Sequence, residues 1–298
     1  MKYLVGFSPD QGGREALALA SVLARSSGGS LVVCTVIPET WGHPSMARVD
    51  AEYADFLNTH ANKALDKAKA ALDKSIAAEF VSRSASSAGD GLAQTASDVG
   101  ADCLVLGSSR AAPLGRFAEG NATSDLLRSA HVPVAVAPKG YAPRPHSKVK
   151  RLTCAFAGTA DSLISARRAA ELCQAFSVPL RLATFVVRDK QMYPTGAGYK
   201  AENLVSNQLR LQAETAQADA LADWQSPVKV TSTIGDGRTW KAAMDSLPWQ
   251  DQELMIVGSS GLGPLLRVFL GSNSGKIVRN ASVPCIVLQR AGASDFAA

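Results

Sequence analysis

The sequence predicts an α/β protein of two tandem doubly wound domains, each with a five-stranded parallel sheet flanked by helices. Three observations carry this. Short unbroken apolar runs at 31–37, 103–107 and 254–258 have the composition of strands covered on both faces. Helical segments separate them at the spacing of β-α-β crossovers. The pattern then begins again: Gly107, Gly120, Arg128 and Pro133 recur as Gly258, Gly271, Arg279 and Pro284 at one offset of 151 positions, with Ser108, Ser109, Pro113, Leu114, Arg116, Ala130 and Val132 in the same register.

Taken in order, the first repeat opens with a strand at 3–7 and a turn at Ser8-Pro9-Asp10. An alanine- and leucine-rich helix follows and stops at Gly28-Gly29. A buried strand at 31–37, a long amphipathic helix at 51–74 and a more exposed strand at 78–82 come next. A helix at 91–99, the strand at 103–107, a loop at 108–119, a helix from Gly120-Asn121 to Arg128 and a last strand within 131–137 complete the unit. The segment around Gly140, Pro143 and Pro145 reads as a linker. The second repeat has strands at 151–156, 180–186, 228–232, 254–258 and 284–288, with helices at 162–176, 201–222, 238–247 and from Ser272. The resulting division is a first domain at 1–140, a linker at 141–148, a second domain at 149–292 and a tail at 293–298, the composition turning disorder-like from Ala291.

Composition narrows the function classes. With 46% hydrophobic and 19% charged residues the chain reads as globular, and no apolar run approaches the ~20 residues of a membrane span. A short apolar start that reaches Ser8-Pro9 has no secretory h-region, so the expected location is cytoplasmic. The net charge of +5 is spread along the chain without basic runs or interleaved aromatics, which argues against a nucleic-acid partner. Five cysteines with no Cys-x-x-Cys and four scattered histidines argue against a disulfide framework or a metal site.

The informative stretch is the junction after the strand at 254–258. Gly258 and Gly261 let a backbone approach a ligand closely, and Ser272 opens a helix whose free N–H groups and dipole face the same place. Such a junction suits phosphate. Counting excludes two familiar loops: a Walker A ending in Gly275-Lys276 needs a glycine at Leu270 and Ser or Thr at Ile277, and a dinucleotide fingerprint from Gly261 needs Gly or Ala at Leu266.

Read as Gly-x-x-Gly, nine residues, Gly-Ser, the stretch from Gly258 to Ser272 resembles the nucleotide-binding signature of the universal stress protein family, and 278–288 resembles that family's final helix end and strand. The resemblance covers nearly the whole chain as two copies. It implies an adenine nucleotide, ATP with or without Mg2+, held mainly in the second domain. The phosphates are expected on Gly258, Ser259, Gly261, Gly271, Ser272 and Asn273, and the base near Ala157, Gly158 and Val186. It further implies pairing of the two last strands within the chain and leaves room for a homodimer.

Both copies depart from the family at the end of the first strand, where an aspartate that holds the nucleoside is replaced by Ser8 and by Ala157. Loss of such a charge-assisted bond costs roughly 1.5–3 kcal/mol, with Thr159 and Asp161 as nearby substitutes. The first copy also has Arg110 where the loop's second glycine belongs, and Asn121, another good cap, where its serine belongs. Arg110 either closes that cleft or offers a cation to another anion. No residue is placed as a catalyst: Ser259, Ser260 and Ser274 have no histidine beside them, Asp251 and Glu253 read as surface residues before a strand, His131 as an exposed turn, and Lys276 as either a phosphate contact or a solvated lysine. The expected function is a stress-response protein that acts by nucleotide occupancy, with slow ATP hydrolysis at most. The alternative is an interaction scaffold whose clefts stay empty and whose tandem domains form a pseudo-dimer.

Overall fold

The computed structural model describes residues 1–39, 49–188, 199–259 and 272–288. Strands β1 (Lys2–Gly6), β2 (Ser30–Pro38), β3 (Ala78–Ala85), β4 (Cys103–Leu106) and β5 (Val134–Val136) alternate with helices α1 (Gln11–Ser27), α2 (Val49–Ala71), α3 (Ala88–Asp98) and α4 (Asn121–Ser129). The second repeat supplies β6 (Arg151–Ala155), β7 (Leu180–Val187), β8 (Val230–Gly237), β9 (Glu253–Gly258) and β10 (Cys285–Leu288), with α5 (Ala160–Phe176), α6 (Tyr199–Ala222), α7 (Trp240–Asp245) and α8 (Ser272–Asn280). The α/β class and the parallel sheet in each repeat are as the sequence predicts. The tail at 293–298 lies outside the described residues.

The strands form one ten-stranded sheet in the order β3-β2-β1-β4-β5-β10-β9-β6-β7-β8. Within each repeat every pairing is parallel; at the centre β10 runs antiparallel to β5, with Cys285 opposite Val136 and Val287 opposite Val134. Strand order reverses between β1 and β4 and again between β6 and β9, and ligands of open α/β sheets sit at the carboxyl ends of strands flanking such a reversal. Strands β3 and β8 run longer than their alternation suggests because each pairs along its whole length with its inner neighbour.

Both faces of the sheet are covered, so the inner strands are buried without alternation: β4, β10 and nearly all of β9 are inaccessible. One apolar cluster joins Leu19 and Leu23 of α1 to Ala166, Leu172 and Phe176 of α5 through Tyr3, Val5, Leu152 and Leu180. On the other face Leu92, Leu126 and Leu127 join Met244, Ile277 and Val278 through Leu4, Leu104, Met255 and Val257. Each core layer therefore crosses the β5–β10 seam, and neither repeat owns a core of its own.

The second repeat carries a buried ionic cluster with no counterpart among the described residues of the first. Glu253, only 1% exposed, accepts from Arg151 at 2.6 Å and Arg181 at 2.7 Å, from the Thr153 hydroxyl, and from the Gln250 N–H at 2.9 Å. Arg181 also donates to Thr153 Oγ1 at 2.9 Å and lies 5.0 Å from the centroid of the Trp249 ring. Glu253 is thus an interior anchor, not the surface residue its position before a strand suggests. At the repeat-equivalent places of Thr153 and Arg181 the first domain has Leu4 and Val32, both packed in the apolar core. Breaking one partner of a buried pair strands the other charge. Glu253→Gln is therefore expected to lower unfolding stability by about 3–5 kcal/mol, read as a fall in denaturant midpoint, whereas an Asp102→Asn change at the repeat-equivalent, half-buried position costs less than a third of that.

Candidate functional site: two unequal clefts

At the first reversal, β1 leads through Phe7 into Ser8-Pro9-Asp10. Asp10 is the N-cap of α1: its carboxylate accepts from the Gly13 N–H at 2.9 Å and from the Ser8 hydroxyl at 2.8 Å. From the loop after β4 the largely exposed Arg110 reaches across to the same carboxylate, Nη2 to Oδ2 at 3.6 Å. Burial alone raises the Asp10 carboxyl, but the Gly13 N–H, the Ser8 hydroxyl and the Arg110 and Arg14 guanidiniums outweigh it and hold it below the ordinary carboxylate range. Ser8, where the family signature has its aspartate, is spent on this contact.

Backbone packs closely behind it. A Cβ placed on Gly107 would lie 1.9 Å from the Gly12 carbonyl oxygen, so the start of α1 rests directly on the end of β4. Beyond it the loop is tied to itself, Ala118 N–H to Ser108 Oγ at 3.0 Å and Ser109 N–H to the Ala118 carbonyl at 3.0 Å, and to Lys139, whose ammonium donates to the Arg110 carbonyl at 2.7 Å. Asn121 does not cap α4. The cap position is Gly120, with no side-chain bond, and Asn121 is the exposed first residue of the helix.

The same loop reaches the other repeat. Arg116 donates to the Asn280 carbonyl at the end of α8 (2.9 Å) and to Asp245 of α7 (2.7 Å), while Glu119 faces Arg279 at 3.4 Å. A guanidinium at a helix C-terminus satisfies a free carbonyl and complements the dipole.

At the second reversal, β9 ends at Gly258 and α8 starts at Ser272, and the two are tied by the Ser274 hydroxyl donating to the Gly258 carbonyl at 2.8 Å. What approaches Gly258 is a side chain: an added Cβ would lie 2.4 Å from the Ser165 hydroxyl, which can turn away, unlike the Gly12 backbone at Gly107. Ser259 is held by its N–H to the Leu288 carbonyl at 3.0 Å, and its hydroxyl is shielded from solvent without a partner among the described residues. Asn273 is exposed on the first turn of α8. Gly261 and Gly271, the remaining glycines of the expected loop, and Ser260 lie outside the described residues, and of Ser272 only the backbone is described.

Opposite this junction, Ala157 and Gly158 follow β6 and are exposed, Gly158 with a left-handed φ of 72° that glycine accepts without strain. Phe156 donates its N–H to Ala183 and accepts at its carbonyl from the Thr184 hydroxyl at 2.8 Å, which sets Ala157 and Gly158 beside the outer end of β7. Val186 is buried there, at 4% exposure. Thr159 is not free to replace the lost carboxylate, because it forms a capping box with Ser162: Thr159 Oγ1 accepts from the Ser162 N–H at 3.2 Å and Ser162 Oγ from the Thr159 N–H at 3.0 Å. Lys276 lies 5.9 Å from the centroid of the Trp240 ring, a contact with α7.

Sequence reasoning missed Arg188 and Asp236, which pair at 3.0 Å across the ends of β7 and β8. The signal is that the two strands stay in register to Val187 and Gly237, five residues beyond the point at which the second appears to stop. All five cysteines are buried and reduced, and burial pushes the thiols of Cys103, Cys154, Cys173 and Cys285 up to about 12, so none is a nucleophile at neutral pH. Among the described residues no group of three or more His, Cys, Asp or Glu could hold a metal ion, and no helix is long and apolar enough to cross a membrane.

The universal stress protein family model matches this chain twice, over residues 1–138 and 148–289. The chain belongs to the universal stress protein family. Two relatives span it almost end to end: universal stress protein Rv2319c of Mycobacterium tuberculosis and universal stress protein Mb2346c of Mycobacterium bovis are each 35% identical over 300 residues, covering 97% of this chain and 99% of theirs. A solved universal stress protein from Archaeoglobus fulgidus shares the fold, with a TM-score of 0.58 at 17% identity over 97% of this chain and 96% of its own. Membership accounts for the doubled architecture and leaves the inequality of the two clefts to this chain's own residues.

The Asp10 contacts give a pH test. A carboxyl held below its unfolded value stabilises the fold above that value, and the contribution is lost as pH falls through the folded one. Asp10→Ala is expected to cost about 1 kcal/mol at pH 7, and the gap from the parent chain should narrow below about pH 4. Denaturation midpoints at pH 7 and pH 3 check this.

Proposed function

We propose that this tandem universal stress protein binds an adenine nucleotide, ATP with Mg2+, in its second domain and acts through occupancy of that site. The observation that carries the reading is the contrast between the two repeat-equivalent glycines. Gly107 lies under the Gly12 backbone behind an Arg110–Asp10 bridge, whereas among the described residues Gly258 faces the Ser165 side chain and is braced to the start of α8 by Ser274. Phosphate oxygens would take the free N–H groups of the first turn of α8, beside the Ser259 hydroxyl, while the Ser259 N–H stays on the Leu288 carbonyl. The nucleoside would lie over Ala157, Gly158 and Val186, with the Arg188–Asp236 pair supplying at the rim the polar contacts that Ala157 lacks. No described side chain is placed to activate water, which favours a receiver over an ATPase.

Calorimetry with Mg-ATP, after stripping and quantifying any carried nucleotide, tests the reading. One site of micromolar affinity is expected, about ten- to hundredfold weaker or absent in Gly261→Arg, which copies the first domain's Arg110. An absence of heat at millimolar ligand with no carried nucleotide would overturn it and favour the scaffold alternative.

A further inference from the structure

The sheet ends on β3 at one side and on β8 at the other, and the two repeats guard these ends differently. An offset of 152 positions relates α2 and β3 to α6 and β8: the buried Ala61 and Ala68 recur as Ala213 and Ala220, and Ala78 and Val230 pair with the repeat-equivalent Leu31 and Leu180. At that offset Glu79 and Arg83 of β3 become Thr231 and Gly235, and Asp66 and Lys69 of α2 become Ala218 and Leu221. Charges on and beside an edge keep an open strand from pairing with another chain. The first repeat has them and the second does not, because Asp236, the one charge in β8, is held by Arg188 at 3.0 Å.

The outer side of β8 is free where it counts. Leu180 donates its N–H to the Lys229 carbonyl at 3.0 Å and Arg188 to the Gly237 carbonyl at 2.9 Å, so odd-numbered residues of β8 turn their backbone to β7 and even-numbered ones turn it away. The Asp236 N–H is taken by the Ser246 hydroxyl at 3.1 Å. Val230, Ser232 and Ile234 are left with outward N–H and C=O groups that have no partner among the described residues. Above this edge lies α6, which packs on β7 and β8. Its Ala216, Asp219, Ala220 and Asp223 face α5, and the stripe Leu211, Glu214, Ala218 and Leu221, spaced by three and four residues, lies on the opposite side, with Leu211 56% exposed.

We propose that the protein forms a closed dimer in which β8 pairs antiparallel with β8 of a second copy about a two-fold axis at Ser232. Three arguments select this partner. The free groups complement themselves: Ser232 faces Ser232 of the partner subunit and Val230 faces Ile234 of the partner subunit, which satisfies every outward group of the three residues. The pairing also sets α6 against its own copy at two strand spacings, about 9.6 Å, within the 8–10 Å of packed helices. Ala218 suits that approach, and it stands near the axis because its neighbour Gln217 donates to the Thr233 carbonyl at 2.8 Å. Finally, the charges that oppose such a contact in the first repeat are absent here, and their presence on β3 stops association at two copies.

Sedimentation velocity of the full chain at about 100 µM tests the proposal, with a dimer expected. Ser232→Pro removes one outward N–H and spares the ladder to β7. It should weaken dimerisation at least tenfold with unchanged far-UV dichroism. Should that variant fail to fold, Ala218→Asp, which restores the first repeat's charge at an exposed position, should weaken it as much. Ser232→Cys should give disulfide-linked dimers under mild oxidation, because hydrogen-bonded antiparallel pairs stand about 5.5 Å apart at Cα, within disulfide reach. The five native thiols are buried and give little background, and Ser82→Cys on the exposed outer side of β3 should stay unlinked. A monomer at that concentration, a dimer undiminished in the folded variants, or equal cross-linking at positions 82 and 232 would overturn the proposal.

Discussion

The antiparallel join of β10 to β5 is the constraint on which the rest of the molecule depends. Three residues of each strand pair there, yet the join turns two five-stranded sheets into one and hides an edge that each repeat would otherwise expose. Both core layers then run across the seam, from Leu23 to Leu172 on one face and from Leu126 to Val278 on the other. Covalent tandem linkage makes this pairing intramolecular, so its entropy cost is that of closing a short linker, not of assembling two chains.

The join also separates the fates of two clefts that began as copies. It brings the first domain's loop against α7 and α8, where Arg116 and Glu119 take hold of Asn280, Asp245 and Arg279. That loop is committed to bracing the helix whose other end faces the second cleft. At its own cleft the Gly12 backbone lies over Gly107 and Arg110 stands against Asp10. The proposed division of labour, a closed domain supporting a receptive one, follows from these contacts. The buried Glu253 cluster lies at the amino ends of β6, β7 and β9, opposite the second cleft, and pins the register of the strands that form it.

Much of the fold was legible in the sequence because parallel strands covered on both faces appear as unbroken apolar runs, and because the 151-residue register could be checked at independent glycines and prolines. Less legible were features fixed by neighbours distant in sequence. Glu253 looks like a surface residue until Arg151 and Arg181, 102 and 72 positions away, are set beside it. Asn121 reads as a cap by type, but the chain enters α4 through Gly120 and leaves the asparagine one place too late. Thr159 looks available until its partner Ser162 is seen. Of the nine expected site residues, Ala157, Gly158, Val186, Gly258, Ser259 and Asn273 can be placed around the second reversal and Ser272 by its backbone; Gly261 and Gly271 fall outside the described residues.

Backbone hydrogen exchange with and without saturating Mg-ATP tests most directly whether one cleft receives and the other is closed. The account predicts slowed exchange at 157–160, at 258–261 and over the first turn of α8, with residues 8–13 and 107–121 unchanged. Protection at both clefts, or at the first alone, would contradict it.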